Sequence, residues 1–171
     1  VSNTGVVGTD VTGVGTARHT LAACEYGEDK GIFGYGSTGS YVSMSNLVSN
    51  AGVVATDVTG VGTARGYLAA CGYGDDKAIF GFGYVGGGTP LVSMTNLVSN
   101  AGVVSSDVAG VGTDKRALAA CEYGGDKGIF GFGLSPNYTA VTNLVSNAGV
   151  IASDTVGVGT ARTGIGACSF N

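Results

Sequence analysis

The sequence contains no tryptophan, one histidine and two prolines, and only 12% of its residues are charged. Its apolar runs are a few residues long, far below the ~18 that span a bilayer, so we expect no membrane-spanning helix. Eight lysines and arginines in a chain of net charge −4 leave too little positive charge to neutralise a nucleic-acid backbone. One histidine and the absence of Cys-x-x-Cys spacing argue against a zinc site. We therefore expect no metal and no other cofactor.

Glycine, by contrast, makes up 33 of the 171 residues. Apolar residues account for 44% of the chain, so the low hydrophobicity and high charge of disordered segments are both missing. So much glycine indicates a fold that needs positive φ angles and close backbone approaches many times over. The length suits a single domain with a sizeable core.

The chain repeats itself at a nearly fixed period. The string Val-Ser-Asn-Thr/Ala-Gly-Val begins at residues 1, 48, 98 and 145. We predict one repeat array over residues 1–171, divided approximately into 1–47, 48–97, 98–144 and a partial 145–171. The extra residues of the second interval fall in the Gly/Pro stretch Tyr84–Pro90, which predicts a surface loop. Three kinds of residue recur in register: Asp10, Asp57, Asp107 and Asp154; Arg18, Arg65, Lys115 and Arg162; and Cys24, Cys71, Cys121 and Cys168.

Within one copy the pattern predicts four short strands and no helix. In the second copy a strand over residues 65–73 turns through Gly74–Lys77 into a strand over 78–83. A third strand over 91–98 and an Asn-x-Gly turn lead to a fourth strand over 103–108. Four-stranded repeats of about 47–50 residues are typical of a β-propeller, and a stacked β-solenoid is the alternative all-β fold.

The segment Thr-Ala-Arg-x-x-Leu-Ala-Ala-Cys-x-Tyr-Gly-x-Asp-Lys-x-Ile-Phe-Gly-Phe/Tyr-Gly resembles the first half of a kelch motif. This resemblance implies one propeller blade per repeat. The family's adjacent glycines are Gly-x-Gly here, and its fourth-strand tryptophan is missing. The near-identical copies also resemble the repeats of long proteins of environmental viruses and bacteriophages, which implies a virion or extracellular location.

The repeats are out of phase with the chain ends. The first-strand and fourth-strand segments each occur four times, but Ile-Phe-Gly occurs only three times. Unpaired strand edges favour association with further copies, as a ring or a filament. If the sequence is an excerpt from a longer repetitive chain, that explains both the phase and the missing initiator Met equally well. Removal of a leader would also explain the missing Met.

Each recurring polar residue has a functional and a structural interpretation. The four Asp could line up to bind a cation, but such residues more often cap turns or pair with the recurring Arg or Lys. The four Cys fit either small buried fillers or disulfides. His19 stands where the other copies have Gly66, Arg116 or Thr163, so we interpret it as a variation on the solvent side.

No unique nucleophile, base and orienting group stand out from the repeat symmetry, so we expect a protein that is not an enzyme. The leading hypothesis is a structural or assembly protein that associates with itself, such as a filament or virion component. The alternative is a module that binds a glycan or another protein through the loops Ser37–Ser40, Tyr84–Pro90 and Leu134–Tyr138. Three loop tyrosines are then the candidates for stacking on sugars: Tyr41, Tyr84 and Tyr138.

Overall fold

The computed structural model describes residues 4–88 and 91–169, so Thr89 and Pro90 of the predicted loop lie outside the described residues. The described residues form strands and turns, with no helix among them. The strands are β1 (Ala22–Tyr26), β2 (Lys30–Gly34), β3 (Ser45–Val48), β4 (Ala69–Tyr73), β5 (Lys77–Gly81), β6 (Thr95–Val98), β7 (Ala119–Tyr123), β8 (Lys127–Gly131), β9 (Leu134–Ser135), β10 (Asn137–Tyr138) and β11 (Thr142–Val145). The prediction of an all-β fold is confirmed, and no described helix could cross a membrane.

The described residues form three antiparallel sheets of three strands, one for each of the three complete repeats. The strand orders are β1-β2-β3, β4-β5-β6 and β7-β8-β11, with β9 and β10 as a separate small hairpin. In the first sheet Cys24 pairs with Ile32, which pairs in turn with Leu47. The Asp-rich turns join the first two strands of each sheet, as the sequence predicts, and Glu28 and Asp75 take positive φ there. The three sheets are not closed into a barrel.

The predicted fourth strand is reduced to isolated bridges. Beside the first sheet Val54 pairs with Val48 and Val58 pairs with Ser45, and the other two sheets show the equivalent bridges. Between them the Asn46 side chain donates to the Ala55 carbonyl at 3.1 Å, which occupies a backbone group that a regular ladder could use. A side chain that competes with the ladder in this way interrupts the strand.

The core lies between the sheets. The first strands β1, β4 and β7 run beside one another. One apolar cluster joins the first sheet to the second and includes Tyr26, Ile32 and Phe80. A second cluster joins the second sheet to the third and includes Tyr73 and Phe130. Burial of these side chains between neighbouring sheets is the main stabilising contribution to the stack.

Glycines receive the large side chains at these interfaces. A Cβ on Gly34 would lie 2.6 Å from Phe80 Cζ, and one on Gly81 would lie 2.9 Å from Phe130 Cζ. In the opposite sense, a Cβ on Gly102 would lie 3.0 Å from the Tyr26 ring. Each interface is therefore held by rings of both sheets that fill spaces only glycine leaves open.

Candidate functional site

A recurring polar network connects the residues that the sequence singles out. In the second repeat Arg65 is fully buried and donates to the Phe82 carbonyl at 2.9 Å and to Asn96 Oδ1 at 2.7 Å. Asn96 Nδ2 donates to Asp107 Oδ1 at 2.9 Å, and the amide and hydroxyl of Thr63 donate to the same carboxylate. Arg65 and Asp107 also form an ion pair at 3.9 Å. The same network forms around the first sheet from Thr16, Arg18, Asn46 and Asp57.

The recurring cation also links each sheet to the one before it. The Arg65 guanidinium lies 4.3 Å from the Tyr35 ring centroid, Lys115 Nζ lies 4.7 Å from that of Phe82, and the Arg162 guanidinium lies 4.1 Å from that of Phe132. These aromatic residues all take φ near +64°. That conformation is strained for a bulky side chain. The ring is kept there because it forms the surface on which the next cation rests.

The pKa values of the Asp57 and Asp107 carboxylates in this network are lowered. Hydrogen bonds from Thr16 and Asn46 lower the pKa of Asp57. Burial acts to raise the pKa of Asp107, but hydrogen bonds from Thr63 and Asn96 outweigh it and the pKa is lowered. Both carboxylate oxygens of Asp57 and of Asp107 accept hydrogen bonds from protein donors, which supports a structural role for these two residues rather than cation binding.

The third repeat carries lysine in place of arginine. Lys115 is fully buried and donates to Asn143 Oδ1 at 2.6 Å and to the Val141 carbonyl at 3.4 Å. Burial lowers the pKa of Lys115 to about 8, against the opposing charge of Asp154. Among the described residues it makes no ion pair with Asp154, unlike Arg65 with Asp107. An ammonium group cannot reproduce the several fixed donors of a guanidinium.

Asp10 and Arg162 are the members of their series without a complete network. Asp10 lies in the exposed segment over residues 4–17 and accepts no hydrogen bond from the described residues. Arg162 Nη1 donates to the Thr160 carbonyl at 3.2 Å and stacks on Phe132. The segment 160–168 therefore lies against the third sheet as a first strand lies against the preceding sheet in the interior of the stack.

The four cysteines form one row along the first strands. They line a groove of ≈ 270 Å³ and are all free thiols. Burial raises the pKa of Cys71 to about 12 and that of Cys24 further, whereas Cys168 is exposed. Within the described part of the chain no three His, Cys, Asp or Glu side chains are placed to hold a metal ion.

Differences between the repeats concentrate at one edge of the stack, which we call the variable edge. It comprises His19, Tyr41, Tyr67, Tyr84, Arg116 and Tyr138. Positions 19, 66 and 116 pair with 37, 84 and 134, which in turn pair with 41, 91 and 138. The equivalent residues at these positions differ in size and charge, whereas the strands and interfaces are almost constant.

Two of the three predicted loop tyrosines meet at this edge. The rings of Tyr41 and Tyr84 are 5.6 Å apart in an edge-on arrangement. The Arg116 guanidinium lies 4.8 Å from the Tyr84 ring and 5.6 Å from the Tyr67 ring. Tyr138 lies on the same edge, is 63% exposed and makes no ring contact with the other described residues. The structure thus brings Tyr41 and Tyr84 together and leaves Tyr138 apart.

Sequence reasoning missed Tyr67 and Arg116 at this cluster. Both come from the segment before a first strand, whereas the predicted binding tyrosines lie in the variable loops. A signal was present: position 116 holds arginine where its equivalents are His19, Gly66 and Thr163. Non-conservative change inside an otherwise constant segment marks a residue that the fold does not require. The network residues Thr16 and Asn46 were missed as well, although they recur in register.

Comparison with known proteins gives no assignment: no protein-family model matches the chain, and no curated protein matches it.

Proposed function

We propose that the chain is a non-catalytic structural protein that associates with further copies of itself through the two ends of its stack of sheets. In this proposal each sheet and its bridged fourth segment act as one four-stranded, propeller-like unit. Support comes from two sets of residues that are exposed at the ends of the stack, whereas the equivalent residues inside the stack are buried. The uniformity of the repeats favours a component of a filament or virion.

The first end surface belongs to the first sheet and comprises Leu21, Phe33 and Gly52. Phe33 is 38% exposed, whereas its equivalents Phe80 and Phe130 are fully buried by the preceding sheet. A Cβ on Gly52 would meet nothing within 4 Å, although the equivalent Gly102 lies under Tyr26. These residues border an apolar cavity of ≈ 610 Å³. This end has an unburied ring and an unfilled space.

The second end surface belongs to the third sheet and comprises Tyr123, Gly131 and Leu144. Tyr123 is 36% exposed, whereas the equivalent Tyr26 and Tyr73 are each 4% exposed. At Gly131 a Cβ would meet only the Thr142 methyl group, at 3.2 Å, and no phenylalanine ring. This end therefore presents the ring and the space that complete the first end surface.

A second copy is the partner that fits both surfaces. Its Phe33 would fill the space at Gly131, and Tyr123 would cover its Gly52, as at the interfaces inside the chain. Residues 16–24 of the second copy would replace the segment 160–168, which occupies the equivalent position. That segment is mostly exposed and has the related sequence Thr-Ala-Arg-Thr-Gly-Ile-Gly-Ala-Cys, so the exchange replaces like with like.

The experiment is the solution mass of the purified chain over a range of concentrations, together with negative-stain microscopy. We expect the mass to rise with concentration and rings or filaments to appear. Phe33→Ser should suppress association, whereas Val103→Ser, which removes a 65% exposed side chain beside the second sheet and away from both ends, should leave it unchanged. A mass that stays monomeric at all concentrations contradicts the proposal.

A further inference from the structure

The variable edge carries a cluster of four side chains that the stack does not need. The cluster comprises Tyr41, Tyr67, Tyr84 and Arg116, and lies away from both end surfaces. Other repeats carry threonine, serine, leucine or glycine at equivalent positions without loss of the sheet. A cluster that packing does not require, built from residue types common in binding sites, is a candidate recognition surface.

The polar groups of the cluster have no hydrogen-bond or ion-pair partner in the described ranges 4–88 and 91–169. Among the described residues the guanidinium of Arg116 makes no hydrogen bond and no ion pair, although it is held over two rings. The phenol groups of Tyr41, Tyr67 and Tyr84 likewise have no hydrogen-bond partner in the described part of the chain. Burial raises the pKa of Tyr41, with Tyr67 and Tyr84 adding to the shift and Arg116 opposing it. The four groups therefore act on one another at short range.

The backbone beneath the cluster is already paired. Gly66 and Tyr84 exchange both amide hydrogen bonds at 3.0 and 2.8 Å. The amide of Tyr67 donates to the Thr20 carbonyl, and that of Ala117 donates to the Tyr67 carbonyl. These paired backbone groups offer no free strand edge that an extended peptide could join. Recognition here must use rings, hydroxyls and the guanidinium, which together suit a rigid, hydroxylated ligand.

Charge is also distributed in favour of an anion. The acidic residues of the hairpin turns, such as Asp29, Asp76 and Asp126, lie at the far ends of the first two strands from the variable edge. Each of them is engaged locally by a lysine or an asparagine. Arg116 is thus a cation without a counter-ion among the residues that the structure describes, in a chain of net charge −4. An arginine fork binds a carboxylate through two parallel, charge-assisted hydrogen bonds.

We propose that the variable edge binds an acidic carbohydrate of the uronic-acid class. Arg116 receives the sugar carboxylate, and the tyrosine rings and hydroxyls hold the adjacent pyranose ring. Aromatic rings present flat apolar faces for the C–H groups of a sugar, and the phenols supply hydrogen bonds to its hydroxyls. This site is separate from self-association, since none of its four residues belongs to an end surface.

The test is a titration of the full chain with trigalacturonic acid, followed by NMR and calorimetry. The methyl ester of the same trisaccharide is the neutral probe, and a capped triglutamate peptide is the non-sugar carboxylate. We expect saturable binding of the acid with shifts at Tyr41, Tyr67 and Tyr84. The ester should bind more weakly, and the peptide should bind much more weakly still.

Three variants distinguish the contacts, and each installs a residue that another repeat already carries there. Arg116→Thr should weaken binding of the acid about tenfold, the loss of one charge-assisted contact, and leave the ester unchanged. Tyr84→Ser should weaken binding of both. Tyr138→Leu, the matched control, should change neither. The proposal is overturned by absence of saturable binding, by undiminished binding in both cluster variants, or by equal affinity for the peptide.

Discussion

The ring of Phe80 covers the α-carbon of Gly34, so that a methyl group on Gly34 would lie 2.6 Å from the ring's Cζ atom. The contact recurs between Phe130 and Gly81. Neighbouring sheets thus approach as closely as a glycine and a phenyl ring allow.

Gly34→Ala should therefore destabilise the stack. The added methyl group forces Phe80 or the sheet to move, and overpacking of this kind costs about 1–3 kcal/mol of unfolding free energy. Gly31→Ala is the control, because its Cβ would lie 3.5 Å from Val48 Cβ and the second sheet has Ala78 at this position. Urea denaturation measures both. Equal stability of the two variants would show that the close approach is not a constraint.

Lys115→Arg should stabilise the third repeat near neutral pH. The arginine restores the donors that Arg65 places on its own network, and it removes a lysine whose pKa is lowered to about 8. Unfolded lysine titrates near 10.5, so in the native protein Lys115 loses its proton first. Stability attributable to this residue then rises between about pH 8 and 10.5.

The measurement is the difference in unfolding free energy between the parent and Lys115→Arg as pH is raised. The difference should shrink above pH 8, while contributions from cysteines and tyrosines cancel because both proteins carry them. A difference that does not change with pH would contradict the buried, easily deprotonated state of Lys115. Arg65→Lys, the reverse exchange in the second repeat, should create a similar pH dependence.

Asp107→Ala should be strongly destabilising. It removes the acceptor of Thr63 and Asn96 and leaves the buried Arg65 without its counter-ion, for which we expect roughly 2–4 kcal/mol. Because the folded pKa of Asp107 is lowered, its contribution is full above the unfolded pKa, near 3.8, and is lost as pH falls through the lower, folded value. Thermal melts between pH 2 and 7 follow both effects.

Asp10→Ala is the control for that experiment, since Asp10 is exposed and accepts no hydrogen bond from the described residues. It should melt like the parent protein at every pH. A comparable loss in both variants would mean that the network around Asp107 contributes nothing specific.

Mixing two end variants tests the proposed association more sharply than either alone. Phe33→Ser disrupts the first end surface and Tyr123→Ser disrupts the second. Each variant alone should therefore remain monomeric. In an equimolar mixture the intact ends complement each other, and the mass should reach that of a dimer and stop there. Analytical ultracentrifugation gives the answer. Higher oligomers in the mixture, or no dimer, would rule out pairing through these two ends.

The sequence predicts much of this architecture because the same turn and strand patterns occur in three copies. The hairpin around Gly74–Lys77 follows from its turn residues, and the third strand, predicted over 91–98, is observed at Thr95–Val98. The fourth strand is not predictable in the same way, since its ladder is interrupted by the Asn96 side chain, which comes from a neighbouring strand. A side chain from another strand that binds one carbonyl group of the fourth strand cannot be recognised from the sequence of the fourth strand itself.

The candidate site is only half predictable for a similar reason. Tyr41 and Tyr84 stand out in variable loops, but their meeting depends on how two repeats are placed side by side. Arg116 comes from a third repeat and reaches the cluster across the edge. No spacing within one repeat encodes a contact that involves three of them.

The placement of the buried cations gives the stack a polar axis. Arg65 reaches back to Tyr35, and Lys115 reaches back to Phe82, so every sheet offers a ring on one side and a cation on the other. A two-fold symmetric pair would set like against like, ring on ring or cation on cation, and would lose this contact. Only heterologous contacts preserve it, and such contacts either close into a cyclic ring or continue as a fibre whose two tips differ chemically.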